Sequence, residues 1–149
     1  GSQPYRDRPV LSDIEPPGGY KFQMNDIAAA LGLAGLVEYD DMMIRRRSIF
    51  QVYRAAGLPL VDSPVNALGY ACLLVDNRDL FASRMAAAGV ETNVMHLRND
   101  TYTIFRRFAR PLPEMDWAHD RHVCIPMHNA MTLEDANYVA DSATGALKK

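Results

Sequence analysis

Lys21 is the only lysine of the 149-residue chain outside its last two positions. It follows two glycines and precedes a stretch of small residues that predicts a helix beginning near Asn25 or Asp26. The first turn of a helix offers N–H groups and the positive end of the helix dipole, which would stabilise a phosphate beside Lys21. A lysine can also form a Schiff base when burial or neighbouring cations activate it, or it can simply lie on the surface. The residues alone leave all three roles open.

A second set of reactive side chains lies in the segment HLRND. It places the imidazole of His96, the guanidinium of Arg98 and the amide of Asn99 close to a carboxylate. The segment comes where a predicted strand gives way to a loop, and such loops often carry ligand contacts. The pattern is equally typical of a polar turn that caps the residues after it.

The segment HDRHVCIPMH contains four side chains of the kinds that bind zinc: His119, His122, Cys124 and His128. On a strand, His122 and Cys124 share one face, but successive residues on one face are too nearly collinear to close a tetrahedron. We therefore expect no metal site there, only surface and half-buried histidines.

Three consecutive arginines, Arg45 to Arg47, lie inside a predicted helix and spread over most of its circumference. They predict a solvated face with one ion pair. Contact with a phosphate or with another subunit is the alternative.

The composition excludes several classes of protein. A net charge of −2 gives no electrostatic footprint for nucleic acid, and the chain has no signal peptide or long apolar run that would indicate a membrane protein. Two cysteines form no disulfide framework, so we expect a reducing, cytoplasmic setting.

Periodicity, caps and chain breakers predict seven elements in the order α, α, β, α, β, β, α. The predicted helices begin at residue 25 or 26, span 38–56 and 79–88, and begin after the cap Thr132; the predicted strands span 70–75, 90–96 and 122–127. The apolar face of the first helix consists of Ile27, Ala30, Leu31 and Ala34. The inward residues are Met42, Ile49, Val52, Tyr53 and Ala56 in the second helix and Leu133, Ala136, Ala140 and Ala143 in the last. This order predicts an α+β, two-layer domain with helices packed on a short, mostly antiparallel sheet. Residues 1–18, with four prolines and a Gly-Ser start typical of tag cleavage, predict an extended lead-in, and residues 19–149 predict the domain.

Two passages of the chain resemble the C-terminal part of the DegT/StrS nucleotide-sugar aminotransferases, a family of fold-type-I, pyridoxal-phosphate (PLP) enzymes. The first is GGYKFQMNDIAAALGLAGLVEYDDMMIRRRSIFQVYRAAG, and the second is LLVDNRDLFASRMAAAGVETNVMHLRNDTYTIF, followed by LPEMD and CIPMHNAMTLEDANYVADSA. Together they cover the chain from about Gly18 to Ala146. The resemblance implies the small C-terminal domain of an aspartate-aminotransferase-like fold.

The resemblance also implies roles for individual residues. Lys21 falls where the family commonly has Asn and sometimes Lys, a residue that reaches the cofactor phosphate of the neighbouring subunit. His96 falls at a family histidine near the substrate, which makes Arg98 and Asn99 candidates for sugar or diphosphate contacts. Gln23 departs from a common arginine, so the role of that arginine is in doubt here.

The family's Schiff-base lysine, the aspartate that pairs with the pyridine nitrogen and the stacking aromatic residue lie upstream of this segment, and their motifs are absent from the sequence. We therefore expect a fragment with no catalytic residue and no covalent bond to PLP, inactive without the lysine-bearing part. Its expected partners are a second copy or the N-terminal part of the same enzyme, and a keto-sugar nucleotide. The alternative is a non-catalytic binding or oligomerisation module derived from such a domain.

Overall fold

The computed structural model describes residues 24–63, 68–95 and 98–148. The chain divides into two units, Gly1–Leu36 and Val37–Lys149, and the first is described from Met24 onward. The predicted boundary near residue 18 therefore lies outside the described residues. No helix in the described ranges is long and apolar enough to cross a membrane.

Helix α1 spans Asp26–Val37 and begins where the sequence predicted. The Asn25 side chain caps it by accepting a hydrogen bond from the Ala28 N–H at 2.8 Å. Its predicted apolar face is not buried, since Ile27 is 75% and Leu31 71% exposed.

Helix α2 spans Tyr39–Ala55, one residue inside the predicted bounds at each end. Ile49 and Tyr53 are fully buried as predicted. Ala56 is exposed instead, because it already lies beyond the last helical residue as the C-cap. Gly57 then takes a φ of +71°. Its N–H donates to the Arg54 carbonyl and the Leu58 N–H donates to the Tyr53 carbonyl, which ends the helix.

The sheet consists of β1 (Ala71–Leu74) and β2 (His122–Ile125), which pair antiparallel. The predicted strand over 90–96 is wrong in its described part, where only Asn93 pairs, as an isolated bridge to Cys124. The N–H of Val90 is already used by the end of the preceding helix, where it donates to Met85 at 2.9 Å. Pairing therefore cannot start at Val90.

Helices α3 (Arg78–Ala87) and α5 (Leu133–Leu147) pack together and help to cover one face of this sheet. That face carries Ala71, Leu73, Val123 and Ile125, all buried. The α5 stripe of Ala136, Ala140 and Ala143 is buried as predicted, whereas Leu133 is 52% exposed because it lies in the first turn of the helix.

Helix α4 (Pro113–Arg121) and two short 3-10 turns, Asn99–Thr101 and Thr103–Phe108, were not predicted. A proline at the start of α4 and acidic residues in its first turn are ordinary features of a helix N-terminus. Helix α4 contacts β1 and leads directly into β2. It therefore fixes the position of the loop that carries Arg98, as the contacts below show.

Candidate functional site

Two of the four residues that the sequence assigned to a site, Lys21 and His96, lie outside the described residues. The structure describes the other two, Arg98 and Asn99, at the start of the 3-10 turn Asn99–Thr101. The structure therefore describes only that part of the predicted site that lies on the loop with Arg98 and Asn99.

Arg98 is held by two carboxylates. Its Nε donates to Asp100 Oδ1 at 2.9 Å and its Nη2 donates to Asp100 Oδ2 at 2.5 Å, which makes a two-point contact. Its Nη1 donates to Asp116 of α4, 18 residues further along the chain. The Arg98 side chain is only 11% exposed, so these contacts fix the loop against α4.

The electrostatics of this cluster match its geometry. Hydrogen bonds from Arg98 lower the pKa of Asp100, and the hydrogen bonds to Asp100 and then Asp116 raise the pKa of Arg98. One positive and two negative groups give the cluster a net negative charge. The two carboxylates already take three of the five N–H groups of Arg98 and would repel a diphosphate, so Arg98 is better suited to positioning the loop than to binding an anion directly.

Asn99 has a different position on the same loop. It is exposed, while its backbone carbonyl accepts a hydrogen bond from Tyr102 N–H at 3.1 Å. The Thr101 hydroxyl also donates to the Arg98 carbonyl at 2.6 Å. These two hydrogen bonds fix the backbone of the turn at Arg98 and Asn99, and Asn99 is exposed to solvent on that turn.

The arginine triplet positions a different loop. Arg45 donates to the Asn129 carbonyl at 3.0 Å, and Arg46 donates to the Asn129 side chain at 2.8 Å and to the Leu68 carbonyl at 2.8 Å. Among the residues that the structure describes, these guanidinium groups contact neutral oxygens rather than the carboxylate of the predicted ion pair. Arg47 is exposed.

The residues of the HDRHVCIPMH segment are spread over three elements. His119 lies in α4, where its carbonyl accepts a hydrogen bond from Arg78 at 2.5 Å, and His128 is exposed in the loop after β2. His122 and Cys124 share β2, as predicted. Sequence reasoning missed Cys72, which the sheet register places directly opposite Cys124.

The sequence matches the model of the DegT/DnrJ/EryC1/StrS aminotransferase family over residues 1–144. Similar solved structures include the sugar aminotransferase CalS13 from Micromonospora echinospora (29% identity, TM-score 0.75, 86% of this chain and 37% of that one). AtS13 from Actinomadura melliaura is also similar (28% identity, TM-score 0.78, 87% of this chain and 37% of that one).

A third similar structure is a sugar aminotransferase candidate from Streptococcus pneumoniae in its PLP form (21% identity, TM-score 0.75, 87% of this chain and 37% of that one). The chain thus spans little more than a third of the length of these structures. The similarity confirms the expected family and the expected fold, the small domain of an aminotransferase-like fold.

Proposed function

Since the chain belongs to the DegT/DnrJ/EryC1/StrS aminotransferase family, we propose that it is the C-terminal domain of a PLP-dependent enzyme that aminates a keto-sugar nucleotide. The observation that carries the proposal is the match over residues 1–144 to a family whose solved members are more than twice as long. Glutamate is the proposed amino donor.

Bound PLP supplies the electron sink for amino transfer, and the protein binds and orients it. The sequence offers three lysines, Lys21, Lys148 and Lys149, and the family's Schiff-base motif matches none of them. The proposal therefore places the lysine that binds PLP covalently in the N-terminal part of the enzyme. This chain contributes binding and positioning groups.

Lys21 is the proposed ligand of the cofactor phosphate in the partner subunit. This proposal comes from the family resemblance, since Lys21 lies outside the described residues. Asn25 already accepts the Ala28 N–H, and the carboxylate of Asp26 lies in the first turn. The helix start alone is thus a weak anion site, so a phosphate beside it needs the positive charge of Lys21.

The loop after residue 95 is the proposed substrate side. Asn99 presents its amide on a turn that is held at both ends, so the amide can bind a sugar hydroxyl or a diphosphate oxygen at little entropic cost. Arg98 is assigned a positioning role through Asp100 and Asp116. His96, which lies outside the described residues, is proposed to lie near the substrate.

A second part of the enzyme is the proposed partner of α1. Large apolar side chains of α1 and its flanks are between 66% and 84% exposed: Met24, Ile27, Leu31, Leu33, Leu36 and Val37. So much exposed apolar surface on one helix is typical of a surface that another chain or domain covers. We propose that the N-terminal part of the enzyme or the partner of a homodimer covers it, in a cytoplasmic enzyme.

The test uses the full-length enzyme that contains this chain, with glutamate as amino donor. We expect amination of a keto-sugar nucleotide and much weaker amination of the same keto sugar without its nucleotide. Asn99→Ala should raise KM for the nucleotide sugar, while the control Asn137→Ala on α5 should not. Equal rates with and without the nucleotide, or amino transfer by the 149-residue chain alone, would contradict the proposal.

A further inference from the structure

Cys72 and Cys124 face each other across the two strands of the sheet. The backbone groups of Cys124 pair with Asn93, at 2.7 and 3.1 Å, and the Cys72 carbonyl accepts a hydrogen bond from Val61 at 2.8 Å. Both residues therefore direct these backbone groups away from one another. Such a non-hydrogen-bonded pair has the shorter Cα separation of an antiparallel ladder, about 4.5 Å, and close side chains.

His122 adds a third donor to this pair. It lies two residues before Cys124 on β2 and therefore on the same face of the sheet. Its Nε2 lies 3.7 Å from Cys124 Sγ, and the ligand atoms of Cys72, His122 and Cys124 all lie within 4.8 Å of one another. The objection from collinearity does not apply to this set, because Cys72 comes from the neighbouring strand.

One of the three separations between these ligand atoms matches the edge of a zinc tetrahedron. With zinc–sulfur and zinc–nitrogen bonds of about 2.3 and 2.0–2.1 Å, the sulfur–nitrogen edge of a tetrahedron is about 3.6 Å. The 3.7 Å between Cys124 and His122 is within about 0.1 Å of that edge. A site of two thiols and one imidazole also binds zinc in preference to harder cations.

We propose that Cys72, His122 and Cys124 bind one zinc ion, with a water or another small ligand at the fourth position. Cys124 is 6% exposed and lines an open cleft together with Asn93, Met95 and His128. The site would join β1 to β2 on the face opposite the helical core.

Binding through both sulfurs displaces two thiol protons for each zinc ion, so the products are the zinc dithiolate and two protons. Proton release measured with an indicator should approach two per zinc.

The test is equilibrium dialysis of the reduced, chelator-treated 149-residue chain against zinc chloride, with metal measured by elemental analysis. We expect one zinc per chain and a rise in melting temperature on adding zinc. His122→Gln and Cys72→Ser should weaken binding by at least about tenfold, because losing even an outer-shell partner of a metal site costs about 10- to 100-fold. His119→Gln and His128→Gln are matched controls that should retain full affinity.

His122 is only half-buried, so His122→Gln keeps the test valid if a cysteine variant fails to fold. The absorption spectrum of the cobalt-loaded chain supplies a second readout, since thiolate ligands give it a charge-transfer band that Cys72→Ser should reduce. Absence of stoichiometric zinc, affinity unchanged in His122→Gln, or loss of zinc in His128→Gln would overturn the proposal. A Cys72–Cys124 disulfide that persists under the reducing conditions of the dialysis would also overturn it.

Discussion

Removing the hydroxyl of Tyr53 tests how the core holds β2 in place. This side chain is 0% exposed, and its hydroxyl donates to the Pro126 carbonyl, just after β2, at 2.6 Å. Tyr53→Phe leaves the carbonyl of the half-buried Pro126 without its donor, and the loss of one such hydrogen bond costs about 0.5–1.5 kcal/mol. At about 4 °C per kcal/mol for a domain of this size, the melting temperature should fall by about 2–6 °C.

Tyr138→Phe is the matched control. The Tyr138 hydroxyl makes the same kind of bond, to the Ala88 carbonyl at 2.8 Å, but this side chain is 57% exposed. Water can replace the lost donor there, so the loss should be no more than about 0.5 kcal/mol. Differential scanning calorimetry of both variants measures the difference. Equal losses in the two variants would refute the argument that burial sets the cost.

The pH dependence of Tyr53 has a definite sign. Burial raises its pKa above the ordinary value of 10.0, with a further contribution from Asp135. A raised pKa in the folded state stabilises the fold fully below the unfolded-state value and progressively less as pH rises above it. The wild-type chain should therefore lose stability above about pH 10, and Tyr53→Phe should lose less over the same range.

Three further predictions concern Lys21, helix α5 and Asp100. In the full-length enzyme, Lys21→Ala should weaken PLP affinity about ten- to a hundredfold, because one charge-assisted contact is worth about 1.5–3 kcal/mol, and Lys21→Asn should recover much of it. A mixed dimer of a Lys21→Ala chain with a chain lacking the Schiff-base lysine should keep one full site, and equal loss of PLP from every site would contradict contact across the interface. Truncation before Thr132 should abolish cooperative unfolding, because it removes the buried stripe of α5, and a sharp, unchanged melting transition would contradict this. Arg98 lowers the pKa of Asp100, so the ion pair stabilises the fold above the unfolded-state pKa of about 3.9, and this stability is lost as pH falls through the folded-state pKa. Asp100→Asn should therefore make stability depend less on pH in the acid range. The control Asp79→Asn, at a side chain that is 95% exposed, should change this pH dependence less.

The sequence predicted the elements whose ends are fixed by local chemistry. Asn25 and Thr132 cap α1 and α5 through their own side chains, and Gly57 and Gly89 end α2 and α3 at a φ of +71°. These signals act within a few residues of the chain, so they can be read without the fold. The strand predicted from Val90 failed because a helix end uses the N–H that the sheet would need.

The groupings of side chains depended on distant contacts and could not be predicted. Arg98 pairs with Asp116 only because α4, which the sequence analysis missed, lies against the loop. Cys72 and Cys124 are 52 positions apart and meet through the register of β1 on β2. Only Asp100, two residues after Arg98, could be recognised from the sequence as part of the Arg98 cluster.

Covalent trapping of PLP can decide whether this chain is the C-terminal domain of an aminotransferase that carries its catalytic lysine elsewhere. The 149-residue chain and the full-length enzyme would each be incubated with PLP, reduced with borohydride and mapped by peptide mass spectrometry. We expect one stoichiometric label in the full-length enzyme, on a lysine outside this segment, and no stoichiometric label in the isolated chain. Stoichiometric labelling of Lys21 in either protein would contradict this expectation.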